Sequence, residues 1–250
     1  MSGGATSTRE QGFKPSAEKD TADFGRWRGR AVPFRTKKRL GWIAGALFSL
    51  AALYIVYMAA DSFIVDPGDV SFLAHKTGLH RHLSHGAWLV ALHVHVASAL
   101  VAILAGALNF AWARARAHPV SHRAVGYVYL ASVLGVDGTS GYLAPEATGG
   151  EIVTVAFNLL NVYWLVAVFL VYWMARKLRP DAHRRWVVRS YVFLDTNALN
   201  RGFTWMGVHV AGLPFATAYT AAVCISIAVN VALGEVLART LYPCTSARRA

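Results

Sequence analysis

Four ionisable residues stand inside apolar stretches of this chain: His95, Asp137, Asp195 and Arg201. Their types suit proton transfer or ligand binding. A carboxyl shielded from water is a candidate general acid or base. An imidazole is a candidate proton shuttle or ligand, and an arginine a counter-charge. Asp195, Arg201 and Asp137 are therefore the candidate catalytic groups. The surroundings give this reading its force. Residues 87–112 are apolar almost throughout, interrupted by His93, His95, Ser98 and Asn109. Such a run is long enough to cross a bilayer. An ionisable side chain at that depth is costly unless it faces protein, water or a cofactor.

Depth brings the four together. At ~1.5 Å per residue, His95 lies about 12 Å below one surface of its span. Asp137, Asp195 and Arg201 lie about 20, 14 and 22 Å from the other surface by the same rise. In a core ~30 Å thick all four fall near the middle. Asp195 and Arg201 are six residues apart on one helix, which turns them away from each other. Each needs a partner elsewhere: Asp137 for Arg201, and His95 or water for Asp195. The plainer reading is a set of interhelical hydrogen bonds that only hold helices together. The small residues Ser98, Ala102 and Gly106 also favour close packing.

A second cluster gathers at the span ends: His122 with Arg123, His183 with Arg184 and Arg189, and Glu235. Two histidines at matched depth suit a haem b, with arginines for its propionates. On that reading His95, His122, His183 and Arg189 are the candidate cofactor-binding residues. Polar side chains wetted at an interface are the alternative. His93 points about 200° away from His95 around the helix, so the two do not ligate one metal.

These groups need a scaffold, and the composition describes it. Of 250 residues, 55% are hydrophobic and 15% charged. That fits an all-α, polytopic helical bundle in a membrane. A transmembrane barrel would show short alternating segments instead. Six apolar runs are long enough to span: roughly 41–60, 87–113, 124–143, 152–175, 186–209 and 215–238. Basic residues cluster at alternate connections, around Arg114–Arg123 and Arg176–Arg185 and in both tails, while Asp61, Asp66, Asp69, Glu146 and Glu151 mark the others. The positive-inside rule then gives six spans with both termini cytosolic in the cell membrane. The domain plan is a basic, disordered tail over 1–40, a membrane domain over 41–238 and a basic tail over 239–250. No secretory leader is expected, since the first apolar run begins only at Gly41.

The net charge of +12 follows the span ends, so it argues for topology and against nucleic acid. The bilayer is the expected partner, with a lipidic or quinone ligand possible inside it. Cys224 and Cys244 make neither a disulfide framework nor a cysteine-type zinc site. His75, His80, His82 and His85 sit in one connection. A metal is one reading of that tract, and a solvated amphipathic segment is the preferred one. No metal site is assigned. The Gly-, Ser- and Thr-rich stretch 136–148 is expected to unwind the third span near Asp137-Gly138-Thr139.

The chain resembles the bacterial membrane proteins grouped as domain of unknown function 2306. Four pieces carry the resemblance: His95 with Gly106 and Asn109-Phe110; His122-Arg123 with Gly126 and Tyr129; His183-Arg184-Arg185-Trp186 with Arg189-Ser190-Tyr191 and Arg201; and Asn230 with Glu235. They cover about 95 to 235. Tyr127 departs from a usual basic residue. Asp195, Asn197 and Asn200 stand where the family is mostly apolar, so the carboxylate is particular to this chain. The resemblance implies fold and topology and no activity.

Three functions remain open. One is a redox protein holding a b-type haem or a quinone. Another is a cofactor-free enzyme that isomerises or cyclises a lipidic or isoprenoid substrate. There Asp195 would be the acid, and Tyr129, Trp164, Tyr191, Phe203 and Trp205 would line an apolar pocket. The third is a non-enzymatic transporter or assembly factor, a reading weakened by the lack of an inverted repeat.

Overall fold

A computed structural model of the chain describes residues 45, 49, 52–65, 85–115 and 119–243. The basic tail over 1–40, the tract His75–His82 and the residues from Cys244 onward lie outside the described residues.

The described residues are helical and contain no strand. Helix α1 covers Ala52–Val65 and ends in a π-helical turn, Asp61–Val65. Then come α2 (His85–Ala115), α3 (Pro119–Leu143), α4 (Gly150–Arg176), α5 (Pro180–Tyr191), α6 (Thr196–His209) and α7 (Phe215–Leu241). Three stretches are both long and apolar enough to cross a membrane: Gly86–Ala113, Gly150–Arg176 and Phe215–Leu241.

The helix ends follow local chemistry. Proline opens α3 and α5, where its missing N–H is no loss. Leu178, at φ 53°, turns the chain between α4 and α5. Gly149, at φ 101°, turns it into α4, in a region that L side chains avoid. The last helix runs to Leu241, so Arg239 is helical.

The expected break in the third span is not there. Helix α3 is continuous through Asp137-Gly138-Thr139. The Thr139 hydroxyl lies 2.7 Å from the Gly135 carbonyl and 2.9 Å from that of Val136, so it serves the helix from within. The interruption falls instead in the fifth apolar run. Val192–Asp195 tighten into a 3-10 turn between α5 and α6. Thr196 donates to the Phe193 carbonyl at 2.6 Å and satisfies a backbone group at this turn.

Polarity is arranged inside out. Leu53, Val90, Leu159 and Ile64 are 62–77% exposed. Asp137, Ser190, Asp195, Thr196, Asn200, Ser226 and Asn230 are buried. A bundle in lipid hides its polar groups between helices and presents hydrocarbon outward. Small residues bring the backbones close. A Cβ on Gly135 would meet Ser98 Oγ at 2.7 Å, which ties α2 to α3. One on Gly207 would meet the Ala218 Cβ at 2.8 Å, tying α6 to α7. A Cβ on Gly106 would run into the Tyr191 ring.

Candidate functional site

The motif residues converge in the half of the bundle nearest its Arg-rich end. Tyr191 lies over Gly106 and donates its hydroxyl to the Ile103 carbonyl at 2.9 Å. Phe110 meets the Tyr191 ring edge-on at 5.1 Å. Ser190 Oγ is 2.7 Å from the Tyr129 hydroxyl and accepts from Trp164 Nε1 at 3.1 Å. Asn109, oriented to satisfy both ends of its amide, donates to the His122 carbonyl at 2.9 Å and Nδ1 at 3.2 Å. Its oxygen accepts from the Gly126 N–H at 3.0 Å. Arg189 donates through Nε and Nη2 to Glu235 Oε2, both at 2.8 Å, and stacks over Trp186. Arg239 takes the other oxygen of Glu235. A Cβ on Gly234 would sit 3.4 Å from the Arg189 Cα, so this glycine lets α5 and α7 approach. These groups satisfy one another, and that is the behaviour of structural glue.

The histidines point different ways. His95 donates Nδ1–H toward the Val136 carbonyl and Thr139 Oγ1, each at 3.1 Å, which fixes α2 against α3. His93 stacks near Phe63 at 5.0 Å. His183 donates Nδ1–H to the Val171 carbonyl at 2.9 Å. Burial pushes its pKa below the ordinary value; the Val171 bond opposes this, and neighbouring His122 and Arg184 add to the depression.

His183, with Nδ1–H on a carbonyl, keeps Nε2 open as a ligating histidine does, whereas His122 does not fit a haem. The Asn109 amide on His122 Nδ1 leaves the ring proton on Nε2, the nitrogen that iron would need. Arg189, expected to hold a propionate, is held by Glu235. Among the described residues no three His, Cys, Asp or Glu side chains gather to hold a metal ion.

The expected partnership of Asp137 with Arg201 does not form either. Asp137 is buried and accepts from Asn161 Nδ2 at 3.2 Å across the α3–α4 contact. Arg201 is exposed on α6, with its charge directed toward Tyr54 and Tyr219. The aromatic residues expected to line one pocket are split. Tyr129, Trp164 and Tyr191 belong to the buried network, and Trp205 is 60% exposed beside His209.

Asp195 behaves differently from all of these. It ends the 3-10 turn, is 5% exposed, and its Oδ1 has no hydrogen-bond partner among the described residues. Three other buried oxygens share that condition: the Tyr54 hydroxyl on α1, and Ser226 Oγ and Asn230 Oδ1 on α7. Asn230 Nδ2 donates to Thr196 Oγ1 at 2.9 Å, so this face of α7 lies beside the residue that follows Asp195. A carboxylate oxygen buried without a partner calls for a proton, a cation or water.

The family model described as "Predicted membrane protein (DUF2306)" matches residues 92–238, more than half of the chain, and the chain belongs to that family. No curated protein and no solved structure matches it. The family residues quoted from the sequence make up most of the satisfied network. Asn230, one of those residues, and Asp195 each keep a buried oxygen without a partner among the described residues.

Sequence reasoning passed over Ser226 and Asn161, and reached Ser190 only through the family resemblance. Ser226 and Asn230 stand four apart in an apolar helix, which marks one polar face. Ser190 and Asn161 carry no comparable signal, because each matters only through a partner on another helix.

Proposed function

We propose that this chain is a multi-pass protein of the cell membrane whose working centre is Asp195. The centre performs general acid–base chemistry on a lipid-soluble substrate of the lipidic or isoprenoid class. The membrane domain crosses six times, with the Arg-rich end and both termini in the cytosol. Support for the topology comes from the alternation of basic and acidic connections.

One observation carries the chemical reading. Asp195 is a buried carboxyl at an interruption of a helix, with one oxygen that has no partner among the described residues. Non-helical backbone at membrane depth belongs where protein surrounds it or a cavity is lined. A group used only for packing would have its hydrogen bonds filled, as Tyr129, Ser190, Arg189 and Glu235 do. A general acid or base must keep an oxygen available for the proton it moves. The bilayer surrounding α6 supplies the substrate class, since Trp205 and Met206 face outward from that helix.

The test uses heavy water. Membranes holding the protein are incubated in D2O with a total extract of polar and isoprenoid lipids, and lipid masses are recorded. Proton transfer to carbon leaves deuterium in a lipid, and Asp195→Asn lowers that incorporation by ~100-fold or more. Equal incorporation with the wild type and with Asp195→Asn removes Asp195 from the chemistry.

A further inference from the structure

Arg189 and Arg201 belong to the same apolar run, and their surroundings differ. Arg189 is paired with Glu235. Arg201 is exposed on α6 and belongs to none of the ion pairs formed among the described residues, which join Asp181 to Arg184 and join Glu235 to Arg189 and Arg239. Helix α6 holds no acid, and the only acid of α7 is Glu235, at the far end of that helix from Tyr219. Phenols face the guanidinium instead. The Arg201 charge acts on Tyr54 of α1 and on Tyr219 of α7. The Tyr54 hydroxyl is buried and has no hydrogen-bond partner among the described residues. Tyr219 also interacts with the Asn200 side chain. One positive charge and two hydroxyl donors thus gather where no carboxylate answers them.

Helix α6 sets the depth of this group. His209 closes the helix, so Arg201 lies about 12 Å below that end. Asn197, Arg201, Trp205 and His209 follow at intervals of about one turn, and all four are exposed. The Trp205 ring lies 5.2 Å from that of His209. An outward tryptophan near a helix end marks the level of a membrane interface. The Arg201 backbone is about one turn below that level, a gap its own side chain can bridge. An arginine facing hydrocarbon is costly, and the cost falls where the bilayer thins and head groups come down to the charge. The guanidinium fork matches two oxygens of a phosphate.

We infer that Arg201, with Tyr54 and Tyr219, binds the phosphate of an anionic phospholipid in the leaflet opposite the Arg-rich end. A net anionic head group fits better than a zwitterionic one, because the cluster offers donors and no carboxylate to receive an ammonium group. The acyl chains then lie along the outward face of α6, where Trp205 and Met206 are exposed. The site is separate from Asp195, which is buried, and it does not rest on the acid–base reading.

Brominated lipids quench tryptophan on contact and so report which lipid lies beside Trp205. The full chain is placed in phosphatidylcholine bilayers. Part of the lipid is replaced by phosphatidylglycerol brominated near the top of its acyl chains, or by phosphatidylcholine brominated at the same carbons. The Trp205 signal is the difference between the parent and Trp205→Phe. Its quenching should show phosphatidylglycerol enriched about fivefold over phosphatidylcholine, the preference that one arginine confers near a membrane surface. Arg201→Gln should bring the two lipids level, and Arg201→Lys should keep part of the preference. Equal quenching by both lipids in the parent overturns the site, and so does a preference that survives Arg201→Gln. A Trp205 that neither lipid quenches also overturns it, since protein would then cover this face. Stronger quenching by a brominated fatty acid than by phosphatidylglycerol overturns the phospholipid assignment in favour of a free carboxylate. Elution as a single species confirms that each variant is folded, and the comparison of lipids on the parent decides the matter if Arg201→Gln is not. Quenching needs no turnover, so its outcome and that of the deuterium assay are separate results.

Discussion

Asp195 is buried and His183 half-buried, and their surroundings treat them oppositely. His183 has its Nδ1–H committed to the Val171 carbonyl at 2.9 Å, and Asp195 Oδ1 has no partner among the described residues. His183 gives a pH prediction. Its pKa in the folded state lies below the ordinary value of 6.5, chiefly through burial. The unfolded chain therefore binds the proton more readily, and stability rises with pH in that window. The contribution is complete above the ordinary value and is lost as pH falls from there toward the depressed folded value. Thermal unfolding in detergent should show this loss on acidification, and His183→Gln should flatten it. An unchanged pH profile in the variant would remove His183 as its source. At Gly106 a methyl group meets the Tyr191 ring. Gly106→Ala should cost about 1–3 kcal/mol, as overpacking does, and lower the midpoint of thermal unfolding. A variant as stable as the parent would show that the ring moves aside freely.

At the scale of elements, the contact between α5 and α7 depends on an ion pair over a glycine. Arg189 and Glu235 are 16% and 36% exposed, so the pair is shielded on the arginine side. Removing one partner leaves the other charge unpaired, which costs more than removing both. A double-mutant cycle on Arg189→Met and Glu235→Gln should give a coupling energy of roughly 1–3 kcal/mol. Additive losses would make the pair incidental. Much of this was legible in the sequence. The apolar runs predicted α2, α4 and α7 to within a few residues, because their length and composition leave few alternatives. The break in the fifth run was not legible. Val192–Asp195 contains no proline or glycine, and the turn is held by Thr196 and by Asn230 from another helix. The Gly- and Ser-rich stretch around Asp137 drew the expectation of unwinding, but Thr139 and Asn161 supply bonds that periodicity does not reveal. Candidate site residues were legible by type and depth. Their partners were not, since rotation about each helix axis decides whether Arg201 meets Asp137 or faces outward.

For the whole molecule, side-chain contacts are densest among the residues of the Arg-rich half. Family residues fill the Arg-rich half with mutually satisfied contacts. Asp195 Oδ1, Ser226 Oγ and Asn230 Oδ1 are buried without partners among the described residues. Six crossings predict that reporter fusions after residue 148 and after residue 212 read as outside and that fusions after 118 and 178 read as cytosolic. A fusion after 212 reading as cytosolic would break the six-span topology.

Infrared difference spectroscopy on the protein in lipid, stepped in pH and repeated in D2O, tests the role of Asp195 most directly. If Asp195 exchanges its proton with water, the wild type shows a carboxyl carbonyl band that changes with pH, shifts in D2O and is missing in Asp195→Asn. Identical spectra from the two proteins would contradict that role and leave Asp195 as a buried packing residue.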